Sequence, residues 1–191
     1  LVTRDVDLLA ELATHDAALV NISITSLDPA LQRVMEPRTS IPKRRLAAVE
    51  ALSRAGVPVN VMVAPVVPGL TDHEVPAILS AAAAAGARSA GFIPLRLPGA
   101  VADIFQQWLQ DHFPDRKERV LNRIREIRGG KLNDARFGSR MRGEGEYWEQ
   151  IRSMFAIVRR REGLDTERFP LSTAAFRRPE TGGKLGLFEE P

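Results

Sequence analysis

Cysteine is absent from all 191 residues. That absence excludes disulfides and thiolate chemistry from this chain, and with them any iron–sulfur site whose protein ligands come from these residues alone. Long hydrophobic runs are missing too. No apolar stretch reaches the roughly 18 residues that a bilayer-spanning helix needs, and the first residues lack a basic segment followed by a hydrophobic signal core. The expectation is a chain with no membrane span and a cytoplasmic location. The sequence also lacks a phosphate-cradling Gly-Lys-Ser/Thr loop, a Gly-x-Gly-x-x-Gly turn and a nucleophile triad. Its three histidines, His15, His73 and His112, are too scattered to offer metal-ligand spacing on one helical face.

What is present suffices for a core, because 44% of the residues are hydrophobic and a chain of this length forms one domain or a domain with an appendage. Residue 1 is Leu, and a helix-like pattern begins almost at once at Asp5. Both suggest that an N-terminal part is missing. Charge is uneven: nine basic residues balance nine acidic ones through residue 100, whereas residues 116–161 carry 14 Lys/Arg against 6 Asp/Glu, an excess of eight. Such a block suits either a solvated helical surface or a phosphate-rich partner.

Residues 21–72 read as strand, loop, helix, strand, loop, the repeat of a parallel β/α fold. Val20, Ile22 and Ile24 alternate with Asn21, Ser23 and Thr25, and side chains along a strand alternate between faces. In a parallel barrel the apolar set packs under the helices and the polar set points into the lumen. An ordinary closed eight-stranded barrel fills that lumen with Val, Ile and Leu, so a polar one predicts a bound ligand. Strands are predicted at 19–25, 57–64 and 90–95. Ser40 is placed to cap the first intervening helix, with Pro42 in its first turn and Gly56 as its left-handed stop. Thr71 to Glu74 has capping-box spacing and leads an alanine-rich helix at 75–85. Beyond Pro98 the period turns helical, with apolar stripes at Val101, Ile104, Phe105 and Trp108, then Val120, Ile124 and Ile127, then Trp148, Ile151, Phe155 and Val158. The organisation expected is a β/α unit at 1–98, a helical extension at 99–170 and a flexible tail at 171–191.

The ordered series Ser23-Ile24-Thr25-Ser26, Glu36-Pro37-Arg38, Ala55-Gly56-Val57-Pro58 and Ala64-Pro65-Val66-Val67-Pro68-Gly69-Leu70-Thr71-Asp72 resembles the second half of radical SAM proteins. It is most similar to the spore photoproduct lyase-related group, often described as DNA repair photolyase-like. The Gly129-Gly130-Lys131-Leu132-Asn133-Asp134 run and the segment from Phe137-Gly138 to Gly143 resemble the C-terminal extension of one bacterial branch of that group. The resemblance implies an α/β fold, the second half of a partial parallel (β/α)6 barrel followed by a mostly helical extension. It also implies a 4Fe-4S cluster, which this cysteine-free chain cannot hold, together with S-adenosylmethionine (SAM) and an electron-donor protein. Catalysis would then belong to a longer parent, with this chain inactive alone.

Carried over position by position, the resemblance puts Ser23 and Thr25 against SAM. It brings Val63, Ala64 and Pro65 near its adenine, with Gly69 allowing a close turn around the nucleoside. Arg38 and Arg96 fall in loops at the carboxyl rim, where barrel enzymes place their chemistry; each suits a carboxylate or phosphate, or a surface ion pair. Lys131, Arg136, Arg140 and Arg142 crowd one loop and are the candidate nucleic-acid contacts. Leu185, Leu187 and Phe188 resemble the peptide with which bacterial repair proteins dock on the replication sliding clamp; packing on this protein's own barrel is the competing reading. Three functions compete: a radical SAM enzyme acting on a nucleic-acid lesion or modified nucleotide, a non-catalytic nucleic-acid-binding or docking module built on the basic helices, and a radical SAM enzyme acting on a peptide or metabolite.

Overall fold

Valines dominate the centre of the chain, and they build the middle of a parallel sheet. A computed structural model describes residues 2–136, 140–165 and 169–177. Three strands, β1 (Val20–Ser23), β2 (Val59–Val66) and β3 (Ser89–Pro94), lie parallel in the order β1-β2-β3. Asn21 pairs with Asn60 and Asn60 with Ser89, while Ser23 pairs with Met62 and Met62 with Gly91. Paired residues point to the same face. Val59, Val61, Val63, Ala90 and Phe92 therefore face the helices, and Asn21, Ser23, Asn60, Met62, Ser89 and Gly91 face the other way.

The helix layer comprises α1 (Val6–Ala13), α2 (Pro29–Met35), α3 (Pro42–Arg54), α4 (Val75–Ala84), α5 (Val101–His112), α6 (Lys117–Glu126) and α7 (Gly145–Arg161). Val59 and Val61 of β2 are wholly buried with Val49 and Leu52 of α3 and with Ile78 and Leu79 of α4; Ile151, Phe155 and Val158 of α7 belong to the same core. Each such side chain contributes roughly 1.5–3 kcal/mol by leaving water. A second core, beyond the carboxyl ends of the strands, joins Leu31, Val67, Leu70 and Leu97 to Leu109 of α5 and to Val120, Leu121 and Ile124 of α6. It fixes α5 and α6 against the loops that follow β1, β2 and β3.

Several sequence expectations shift. β1 stops at Ser23, two residues short of Thr25. β2 continues through Pro65 to Val66, because the register slips between Val63 and Val66 and the missing Pro N–H falls in that irregularity. Ser40 does not cap α3: Ile41 occupies that position without a side-chain bond, and the Ser40 carbonyl accepts from Arg45 Nε at 2.9 Å. The Thr71–Glu74 capping box does not form either. Thr71 Oγ1 accepts from the Val67 N–H at 2.9 Å, and Glu74 reaches across to the Ser26 hydroxyl and the Leu27 N–H, each at 2.7 Å. Helix α2 escaped the sequence reading although Asp28 caps it, accepting from the Ala30 N–H at 2.7 Å, with Pro29 in the first position. On α5 the inward stripe is the buried Leu109 with Phe105 and Trp108 partly buried beside it, while Val101 and Ile104 are exposed. The sheet is open, with β1 and β3 at its edges among the described residues. Leu185, Leu187 and Phe188 lie outside the described residues, as do Phe137, Gly138 and Ser139.

Candidate functional site

The sheet face turned away from the helices is polar. Asn60 Nδ2 donates to Asn21 Oδ1 at 2.7 Å, and Ser89 Oγ donates to Asn60 Oδ1 at 2.8 Å, a ladder across all three strands. One step toward the carboxyl ends stands Ser23, exposed, with no hydroxyl partner among the described residues. Met62 lies flat beside it over Gly91, where an added Cβ would come within 2.9 Å of the Met62 sulfur. A cavity of about 610 Å³ opens along the free edge of β1, lined by Asn21, Ile22, Ser23, Thr39, Arg44 and Arg45 among others.

Above this face a charged knot closes the rim. Arg45 projects from α3 and forms an ion pair with Glu36. It also donates to Thr39 Oγ1 at 2.7 Å and, through Nη1, to the Ser23 carbonyl at 2.8 Å. The pair is largely shielded, with side-chain exposures of 13% and 23%. Gln32 braces the same loop, donating to the Glu36 carbonyl and to Thr39 Oγ1, each at 2.8 Å. Thr25 is only 4% exposed; its hydroxyl lies 3.1 Å from both the Ala64 carbonyl and Glu36 Oε1. Its one hydrogen serves one acceptor at a time. Neither Glu36 nor Arg45 was singled out from sequence, although the Glu-Pro-Arg turn was the available signal.

The remaining sequence candidates do not gather around Ser23. Val63 is 1% exposed within the helix-side core. Ala64 meets Thr25 through its carbonyl, and Pro65 is half-buried beside it. Gly69 adopts a φ of 75° in the loop after β2, a conformation that glycine tolerates best, and its carbonyl accepts from Arg119 of α6 at 3.2 Å. Arg38 is exposed with no side-chain partner among the described residues. Arg96 lies 3.5 Å from the Met141 sulfur, and its Nε is buried without a partner.

In the basic loop, Lys131 and Arg142 are exposed, but Arg136 grips Asp134 through two 3.0 Å bonds. That contact raises the Arg136 pKa. The hub of the region is a residue that sequence reasoning missed. Arg128, 4% exposed, donates to the carbonyls of Leu95 at 2.7 Å, Arg142 at 2.8 Å and Arg140 at 3.1 Å. It thereby ties the end of β3 to the 140–142 segment. Burial lowers its pKa, yet a guanidinium remains charged at neutral pH. Beside α6, the Tyr147 hydroxyl donates to the Asp72 carboxylate, and Arg123 sits over the Tyr147 ring, 4.1 Å from its centroid.

The polar sheet face, bordered by a shielded ion pair at the strand ends, lies largely within the segment that comparison with known proteins matches. Residues 1–82 match the radical SAM superfamily. The chain is 37% identical over 129 residues to uncharacterized protein Rv2578c of Mycobacterium tuberculosis and, to the same degree, to uncharacterized protein Mb2609c of Mycobacterium bovis. Each alignment covers 66% of this chain and 37% of the relative. It is 38% identical over 68 residues to uncharacterized protein ORF301 of Acidianus two-tailed virus, covering 36% of this chain and 22% of that one. The chain thus spans well under half the length of these curated relatives. No solved structure matches it significantly. Among the described residues no cluster of three or more His, Asp or Glu could hold a metal ion, and no helix is long and apolar enough to cross a membrane.

Proposed function

We propose that this chain works within a radical SAM enzyme, supplying part of the wall against which SAM lies, on the polar face of the sheet. In this reading β1, β2 and β3 are the fourth, fifth and sixth strands of a six-unit partial barrel. The observation that carries it is the Asn21–Asn60–Ser89 ladder, with the unengaged Ser23 hydroxyl one step nearer the carboxyl ends; Asn21, Ser23 and Asn60 fall inside the segment that matches the superfamily, and Ser89 lies just beyond it.

The two groups that the superfamily implies fare differently. A 4Fe-4S cluster held by thiolates does not fit these residues, since the chain has no cysteine, so no step through it is derived. SAM fits the donor set: the exposed Ser23 hydroxyl donates or accepts, and the Asn21 amide nitrogen remains to donate after Asn21 Oδ1 has accepted from Asn60. Those are the partners that a ribose hydroxyl or a methionine carboxylate requires. When bound in a radical SAM enzyme, SAM would supply hydrogen-atom abstraction from substrate, the one electron for its reductive cleavage coming from outside this cysteine-free chain. This chain's own part is to orient the ligand. Arg45 fixes the Ser23 carbonyl, and with it the end of β1, while Thr25 holds that end to β2 through Ala64. A nucleic-acid lesion or modified nucleotide as substrate rests on the resemblance of the motif series to the spore photoproduct lyase-related group, and the name of that group carries it more than any residue of this chain.

The test is an NMR titration of the chain with S-adenosylhomocysteine. Amide shifts at Asn21, Ser23 and Asn60 that Ser23→Ala weakens support the reading, whereas shifts confined to α6 and α7 overturn it.

A further inference from the structure

Three guanidinium groups border one cavity between α6 and the loop after β2. Arg116, Arg119 and Arg123 stand three and seven residues apart around α6, which places them along one side of a helix. The loop after β2 faces them with Gly69, Asp72 and His73, and the cavity between holds about 440 Å³. Its positive charge is organised. Arg119 is held by the Gly69 carbonyl at 3.2 Å, and Arg123 by Glu126 at 2.7 Å and by the face of Tyr147. The Arg116 side chain has no partner among the described residues. The single carboxylate on the lining, Asp72, is engaged by the Tyr147 hydroxyl.

Past Tyr147 the cavity adjoins a second one of about 330 Å³, which shares Asp72, His73 and Tyr147 and adds Gln150, Ile151 and Met154. One compartment is thus cationic, and the other presents the apolar surfaces of Tyr147, Ile151 and Met154 with the Gln150 amide, the His73 imidazole and the Asp72 carboxylate at its border. Each is large enough for part of a small ligand, since pockets for such ligands run from about 300 to 1,000 Å³. Neither shares a lining residue with the cavity at Asn21 and Ser23.

We propose that the paired cavities bind a nucleotide, with its phosphate held by Arg116, Arg119 and Arg123 and its base lying in the compartment formed by Tyr147, Ile151 and Met154. Guanidinium forks match phosphate oxygens two at a time, and a phosphate monoester carries about −1.5 to −2 charge at neutral pH. Aromatic and thioether side chains accept the flat face of a base. Gln150 donates or accepts at its edge, and the spare lone pairs of Asp72 accept from an exocyclic amine. The proposal stands independently of the SAM reading.

The probe is adenosine 5′-monophosphate, titrated into the 191-residue chain and followed by NMR, with adenosine and a 5′-phosphorylated single-stranded oligonucleotide as companions. The expected result is saturable shifts at Gly69, His73 and Gln150, with adenosine at least about tenfold weaker. The Arg116→Ala/Arg119→Ala double variant should also bind about tenfold or more weakly, at little changed melting temperature because both side chains are exposed and only the solvent-exposed Arg119 bond to the Gly69 carbonyl is lost. An oligonucleotide that binds much more tightly than the monophosphate through the same arginines assigns the site to a strand end; equal affinity assigns it to a free nucleotide. The proposal is overturned by no saturation of either phosphorylated probe up to about 5 mM, by undiminished binding in the double variant, or by shifts confined to Asn21 and Ser23.

Discussion

Tyr147 is the only tyrosine in the chain, so its ionisation is readable in isolation. Burial first, and then the hydrogen bond to Asp72, raise its pKa to about 12 from an ordinary value near 10. The folded state therefore favours the neutral phenol. The stability linked to this group is fully present below about pH 10 and is lost as pH rises through about 12. Ultraviolet titration of the native chain should show phenolate appearing near pH 12, and Asp72→Asn should bring the midpoint down without restoring it to 10, because burial remains. A native midpoint at 10 contradicts the packing of Tyr147 described above. At the same scale, Glu36→Gln removes the charge that Arg45 pairs with and should cost about 1.5–3 kcal/mol in denaturant unfolding, the range for hydrogen bonds to charged groups. A change below about 0.5 kcal/mol would mean that the pair is effectively solvated.

Elements were legible where one residue pattern dictates them, and illegible where distant segments do. The alternation of Val20 to Ser23 placed β1 and its polar face. The glycines that stop α3 and α4 were equally plain: Gly56 and Gly86 have φ values of 80° and 91°. Gly86 carries a second constraint that sequence does not show, since an added Cβ would lie 2.4 Å from Ser53 Oγ on α3. Gly86→Ala should therefore destabilise by more than the roughly 1–2 kcal/mol of a left-handed backbone alone. Adding Ser53→Ala should recover part of the loss; strictly additive effects in a double-mutant cycle would refute the clash. By contrast, Glu74 looked like a local cap and became a tie to Ser26, because the partner that wins lies 48 residues away. Arg128 gave no signal at all. Its role exists only once β3 and the 140–142 segment are adjacent, and Arg128→Met, which leaves three carbonyls short of a donor, should lower the melting temperature and raise hydrogen exchange most strongly at 140–143.

At the scale of the whole molecule, composition sets the limit on chemistry. Building a 4Fe-4S cluster takes thiolates at three or four irons, and the only nitrogen ligands, His15, His73 and His112, belong to α1's exit, the turn before α4 and the end of α5. Those are separate parts of the fold, so they cannot stand in for a cysteine loop. Anaerobic incubation of the chain with iron and sulfide should accordingly yield far less than about four irons per chain after desalting, no broad absorption near the visible charge-transfer region, and no 5′-deoxyadenosine from SAM under dithionite. The same preparation should still shift on titration with S-adenosylhomocysteine if the polar face contributes to the SAM wall, which separates binding from turnover. Stoichiometric iron and sulfide with SAM cleavage would show that this chain recruits a cluster by ligands other than thiolates, and would require the division of labour proposed for it to be abandoned.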